Sequence, residues 1–544
     1  MIRHPHTVKP ASRFGRVTTD TLASFLSWYF DNNPAHAAQL GSLPHYSTFG
    51  DFSATAFERR ARENGAWMAR LEPLPRSVDR DLALSVLRGA LAAETWPSWR
   101  RDPHEYSGMV FFGLLTPFLH GLLPEAELVA SAVAKLREVP SVFAAAQANL
   151  DPSLASPLVV RRALGQVRTG RSFLLDSLPL EVSSPSLRAQ LVEAAVPAAE
   201  AFDRYAVFLE DLDVRATGDW RMGEKLYSTL LQDKELLGYG APELHQRGQD
   251  AYASLEAELI ELAGSSDWRS VMSSLQDDHP PTLEAMRAEY EAETQRARAA
   301  LIEHSLVTMP DGEECRVVPS LPFQRPIMPV ASYLGPPPLT SRRAGYFFVP
   351  FTPDGATDEE ITHRLRTNAR PQLPTISVHE AYPGHHWHLA WVAAQGDAHP
   401  LRKVFRTPYF SEGWALYAEK LLRSVGYYTT RGALMSHVEA RLFRAARMIV
   451  DTALHCGDMT PEEAEAFMLA RTALTPGTAA GEVKRYCAWP TQAPSYLTGA
   501  LEIEQIRDEY LAASLGSLRD FHDRIAGSGA LPLGLARRVA LGEE

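Results

Sequence analysis

Cysteine is scarce in this chain: there are three in 544 residues, Cys315, Cys456 and Cys487, none close to another in sequence. That excludes a disulfide framework or a zinc ribbon as the organising device, and the three read as core residues. Charge of one sign also lacks runs. Lys and Arg number 54 against 66 Asp and Glu, a net charge of −12 with no long block of either sign, so neither nucleic acid nor an anionic membrane is expected as a partner. A long apolar run is missing from the start of the chain. Residues 1–16 are polar, with scattered His, Pro and Arg. They hold none of the roughly 7–15-residue apolar stretches that secretory leaders carry. The expectation is a disordered segment over 1–16, no membrane-spanning helix and a cytoplasmic protein.

What is present is enough apolar matter, 45% of the chain, to bury a large core. From Thr19 to Ser305 apolar residues recur at steps of three and four, as in Leu22, Phe25, Leu26, Tyr29 and Phe30, the signature of amphipathic helices. The texture then changes. Glu314–Leu321 and Ala344–Phe351 are short β-type runs joined by a proline-rich connection. Thr460-Pro461-Glu462-Glu463 combines a capping box with proline at the first helical position, starting a helix expected to end near Thr475-Pro476-Gly477. The reading is mainly α with a small β-sheet, divided into an N-terminal helical region over 17–305 and a metal-binding region over 306–544.

The most informative segment is His379-Glu380-Ala381-Tyr382-Pro383-Gly384-His385-His386, followed by His388. Four of the 18 histidines fall within ten residues, a density that points to metal chemistry. A zinc hydrolase needs neutral imidazoles, one further protein ligand, an open position and a nearby base. The usual spacing is His-Glu-x-x-His on one helical face, and this chain departs from it. At about 100° and 1.5 Å per residue, an unbroken helix puts His385 about 120° around the axis from His379, and His386 about 10 Å along it. Neither then shares an ion with His379. Pro383 and Gly384 break the helix between them, and the size of the bulge decides whether His385 or His386 is the second ligand. Glu380 is the candidate base.

A third ligand is expected from a carboxylate. Ser411–Glu419 reads as an apolar, aromatic helix with Glu412 and Glu419 seven apart on one face; Glu412 is the candidate ligand and Glu419 the residue that orients an imidazole. A second electrophile opposite the metal would steady a developing oxyanion. Arg441, Arg444, Arg447, Asp451 and His455 share one helical stripe, giving Arg447 and His455 as candidates and Asp451 as a buried supporting carboxylate. Arg485, Tyr486 and Tyr496 fall in a segment punctuated by Pro490 and Pro494, which reads as loop-rich.

Together, His379–His386, Glu412-Gly-Trp-Ala-Leu-Tyr-Ala-Glu419, Arg447-x-x-x-Asp451-Thr-x-Leu-His455, and Arg485-Tyr486 followed by Pro490-x-Gln492-Ala493-x-x-Tyr496-x-x-Gly499 resemble the bacterial DUF885 proteins, grouped with zincin-like, gluzincin-type metallopeptidases. The likeness runs from about residue 17 to the end. It implies a large helical zincin-like fold with a deep central cleft, and Tyr496 as oxyanion donor. Zincin-like peptidases bind substrate backbone on an edge strand near the metal, which makes 344–351 and Tyr346 candidates for substrate contact, with Arg485 and Tyr486 beside them. The function expected is a hydrolase using Zn²⁺ or another divalent ion on an amide bond of a short peptide. The alternatives are a metal enzyme acting on a non-peptide amide, and a helical binding protein with a vestigial site.

Overall fold

The computed structural model describes residues 13–322, 325, 330–396, 400–457 and 459–543. The segment expected to be loose lies outside the described residues as far as residue 12, and Arg13 already opens a helix, Arg13–Asn32. Helices dominate, as the three- and four-residue steps require. Apolar side chains form two main cores. One gathers Phe143, Phe202 and Tyr205 between helices α1 (Glu125–Asn149) and α2 (Pro185–Arg215). The larger holds Trp67, Tyr290, Phe347, Trp387, Trp414 and Met448, so it joins segments on both sides of residue 305. Its framework includes α3 (Ala241–Ala263) and α4 (Leu283–Glu303).

The two β-type runs form strands, with a third, short strand inside the proline-rich connection. They are β1 (Glu314–Pro319), β2 (Ser332–Leu334) and β3 (Ala344–Val349), in the order β1-β3-β2. β1 runs parallel to β3 with Arg316 opposite Tyr346, and β2 runs antiparallel with Leu334 opposite Tyr346. This corrects the expectation for 344–351. β3 is the central strand, so both of its ladders are used and none is left for a substrate strand. Tyr346 does not meet the metal motif either; its hydroxyl is 3.5 Å from the Arg316 guanidinium and its ring stacks on Phe348.

After the sheet come α5 (Leu373–Glu380), α6 (His385–Ala394), α7 (Pro408–Ser424), α8 (Arg431–Cys456), α9 (Pro476–Ala488) and α10 (Ser495–Ala512). The break at Pro383-Gly384 falls between α5 and α6, and the Tyr382–Pro383 bond is cis. Thr460 caps the helix Pro461–Arg471 with Glu463 as expected. Thr475-Pro476 starts a new helix rather than ending the old one, because the Thr475 side chain caps α9. Arg485, Tyr486 and Tyr496 therefore stand on helices, not in loops.

α7 and α10 cross with glycine against glycine. A Cβ on Gly499 would lie 1.8 Å from the Tyr409 carbonyl oxygen, and one on Gly413 2.5 Å from the Gly499 Cα. Only hydrogen fits there, so the helices meet backbone to backbone, bringing the N-terminal part of α7, which carries Glu412, against that of α10, which carries Tyr496. Gly499→Ala should therefore lower stability by about 1–3 kcal/mol or more in urea denaturation. Gly165, in the helix Pro157–Val167 with open space around its Cα, is the control; Gly165→Ala should be neutral or stabilising by up to about 1 kcal/mol. Equal midpoints for the two variants would refute the close crossing.

Candidate metal centre

The helix that carries His379 and Glu380 ends at Ala381, whose φ of −116° and ψ of −81° leave the helical region. The chain then folds back so tightly that a Cβ on Gly384 would sit 1.9 Å from the His379 carbonyl oxygen. The Gly384 amide donates to the Val378 carbonyl at 3.1 Å, and the indole of Trp414 on α7 donates to the Pro383 carbonyl at 2.7 Å. This compact turn brings His385, not His386, back to His379. The two imidazoles stand edge to face with centroids 4.9 Å apart.

Glu412 completes the group. Its Oε2 lies 3.5 Å from His379 Nε2 and 3.3 Å from His385 Nε2, and one donor atom from each of the three residues falls within 4.8 Å of the others. Ligands about 2.0–2.1 Å from a tetrahedral ion are separated by about 3.3–3.4 Å, close to the two distances from Glu412 to the imidazole nitrogens, so the donor set suits a divalent cation of that size. Two nitrogens and a carboxylate oxygen also suit the chemistry of Zn²⁺ and its first-row neighbours.

The imidazole of His379 is aimed from behind. Glu419, 2% exposed, takes its Nδ1 proton at 2.8 Å and a second hydrogen bond from the Thr375 hydroxyl at 2.7 Å. With Nδ1–H committed, the Nε2 lone pair points at the group. Burial would lower the His379 pKa, but hydrogen bonding to Glu412 and Glu419 lifts it to about 10. A field that favours a proton at Nε2 favours a cation there as well.

His386 is turned away, which excludes it as the alternate ligand. Its Nε2–H donates to Glu313 at 2.7 Å, leaving Nδ1 to accept from the Tyr333 hydroxyl at 2.8 Å. Glu313 also takes hydrogen bonds from Tyr382 and from Arg298 at 2.8 Å. Burial would raise its pKa, but these partners hold it at about 2.

Glu380 is flanked by the group. Burial raises its pKa; His379 and His385 pull it back, Glu412 pushes it up and Arg444 pulls it down. The Tyr496 ring lies nearly parallel to that of His379 at 6.4 Å. Burial and Glu412 raise its pKa, so the hydroxyl keeps its proton.

The other expected residues are placed differently. Arg447, Arg485 and Tyr486 converge on a carboxylate the sequence reading missed, Glu482: Arg447 at 2.8 Å, Arg485 at 2.9 Å and the Tyr486 hydroxyl at 2.6 Å. The Arg447 guanidinium lies 4.8 Å from the centre of the Tyr496 ring, so it supports that tyrosine while its charge is met by Glu482. His455 is not at the group. Its ring nitrogens are used by the Tyr486 carbonyl at 3.0 Å and the Met222 amide at 3.3 Å. Asp451 is removed as well, accepting from Tyr227 and from the Thr491 amide at 3.1 Å. A stripe on one helix face was correct; which neighbours it meets was not contained in its spacing. Of the missed residues, Thr375 was accessible, one turn before His379 on the same face. Glu482 was accessible too, three and four residues before Arg485 and Tyr486 on one helix, whereas Glu313 and Tyr333 carry no local signal.

The group opens on a cavity of about 670 Å³ lined by His385, Glu412, Tyr333, Phe112, Leu389 and Arg406, among others.

Solved structures share this fold, two of them described as lipoproteins. One, described as a "putative lipoprotein of unknown function" from Shewanella oneidensis, superposes with a TM-score of 0.78 at 20% identity, covering 96% of this chain and 99% of that one. The other, a "putative lipoprotein" from Colwellia psychrerythraea, gives 0.80 at 18% identity over 98% and 100%. Both descriptions overturn the expectation of a cytoplasmic protein, which rested on composition near residue 1 and is withdrawn. Among the described residues no helix is long and apolar enough to cross a membrane. No curated protein matches the sequence. A family model described as "Bacterial protein of unknown function (DUF885)" matches residues 34–539, and the chain therefore belongs to the DUF885 family.

Proposed function

We propose that the protein is a metal-dependent hydrolase of zincin-like type that cleaves an amide bond in a short peptide or similar small molecule. The observation that carries this reading is the meeting of His379, His385 and Glu412 donor atoms, with the Glu412 carboxylate 3.5 and 3.3 Å from the two imidazole nitrogens, beside a half-buried glutamate, Glu380, whose pKa is raised. A bound Zn²⁺ or similar cation supplies the Lewis acidity that ionises water near neutral pH and polarises a carbonyl.

The chain's own residues do the rest. Glu380 accepts the proton of the attacking water and delivers it to the departing amine, two tasks that require a carboxyl pKa above the usual range. Tyr496 donates its hydroxyl proton in a hydrogen bond to the oxygen that becomes negative. Arg447 lies against that ring and favours the developing charge. Glu419 and Thr375 keep His379 in the tautomer that presents Nε2. A binding scaffold has no use for a base at Glu380, which favours the enzyme over the vestigial-site alternative.

Elemental analysis of the purified chain should find about one zinc, or another divalent metal, per protein, lost in the His379→Ala/Glu412→Ala double variant. A chain that stays metal-free after incubation with zinc sinks the proposal. Glu380→Gln should keep the metal and lose about 10²–10⁴-fold in turnover of any amide the native chain hydrolyses; undiminished turnover would remove Glu380 from the mechanism. Glu419→Gln should weaken metal affinity about 10–100-fold in competition with a chromogenic chelator while the melting profile stays cooperative. Unchanged affinity would show that the carboxylate does not orient His379.

A further inference from the structure

Two arginines near the group, Arg447 and Arg485, are already engaged, since both serve Glu482. A different arginine is free. Arg406, two residues before α7, lines the same cavity as His385 and Glu412 and has no carboxylate partner among the described residues. Its backbone is pinned from the adjacent residue: the Thr407 amide donates to the Ala530 carbonyl at 3.0 Å, and the Thr407 hydroxyl to buried Glu235. Arg406 as a residue keeps open surface, yet surrounding protein desolvates its guanidinium enough to lower its pKa. Both hold because the surface it exposes faces the cavity.

The other polar groups around this cavity do not balance it. Lys234 and Glu235 pair with each other at 3.3 Å, and Glu412 belongs to the metal group. His36, His120 and His388 are held neutral by burial, with Arg406 adding to the effect. His388 is fully buried with both ring nitrogens unpartnered. It feels the charges of both His385 and Arg406, and all three line the same cavity. Phe112, 54% exposed, and Leu389 add apolar wall. An unpaired arginine fork in a desolvated site is complementary to a carboxylate.

Resting on the hydrolase reading, we infer that Arg406 binds a carboxylate of the substrate, whose apolar portion lies against Phe112 and Leu389 and whose scissile amide reaches His385 and Glu412. The substrate class is then a small amide or short peptide with a carboxylate on the cavity side of the cleaved bond. Arg444 is the rival cation, but it does not line the cavity, and its charge acts on Glu380 and Glu419.

The test is calorimetric titration of the full, zinc-loaded chain with an uncleavable pair, 4-phenylbutanoate and its neutral analogue 5-phenylpentan-2-one. The carboxylate should bind at least about 10-fold more tightly than the ketone. Arg406→Gln should abolish the preference, Arg406→Lys should keep part of it, and Arg444→Gln should leave it intact. Equal binding of the two probes, or a preference that survives Arg406→Gln or is lost in Arg444→Gln, overturns the inference. Competition in Glu380→Gln protein then separates the two sources of a carboxylate: N-acetyl-Ala-Phe displaces the probe if it is the chain terminus, N-acetyl-Ala-Glu-amide if it is a side chain, and displacement by neither is a failure. Because titration reads binding alone, it answers even where no turnover is found, and the hydrolase reading is judged separately by metal content and by Glu380→Gln.

Discussion

Two buried carboxylates hold the centre of this protein in place. An ionised glutamate with 2% of its side chain exposed is tolerable only when its oxygens are saturated by donors, and both Glu419 and Glu313 are in that position. Glu419 accepts hydrogen bonds from His379 and Thr375 on one side of the helix break; Glu313 accepts them from His386, Tyr382 and Arg298 on the other. The motif is thus clamped at both ends by charge that cannot move without being stranded. Between the clamps, His385 is left facing Glu412 with its Nε2.

The same economy of contact governs the backbone. Gly384 lies against the His379 carbonyl, and Gly413 against Gly499, at separations no side chain permits. These approaches convert a break in one helix and the crossing of two others into a shared point, where groups from α5, α6, α7 and α10 meet. A side chain at either place would part the elements and, with them, the histidines from Glu412 or Glu412 from Tyr496. Around this point the charges are ordered by pairing. Arg447 and Arg485 are balanced by Glu482, and His455 and Asp451 are consumed by tying α8 to the backbones of Met222, Tyr486 and Thr491. Arg406 stands apart as the charged group in the cavity with no carboxylate partner among the described residues.

How much of this was legible follows from where the information resides. Helices were readable because a periodicity of three and four is local, and the break at Pro383-Gly384 because proline and glycine act on their own dihedrals. Glu412 and Glu419 were found because both lie on one short helix at a spacing that puts them on one face. The β-type runs were found as well, but their order in the sheet was not: nothing within 344–351 says that β1 and β2 flank it on both sides. Nor does the spacing from Arg441 to His455 say which side of the stripe meets Glu482 and which meets the Met222 backbone.

By itself, then, the sequence determined a mainly helical chain, a kinked His-Glu motif and a second helix supplying carboxylates, since each is fixed by interactions within a few residues. Only the tertiary structure decided between His385 and His386, because that choice depends on Glu313 and Tyr333, 73 and 53 residues away along the chain. It likewise decided that Arg447 is engaged by Glu482 and that Arg406 meets no carboxylate among the described residues. A charge's role is set by whether a partner reaches it, and partners distant in sequence are brought within reach only by packing.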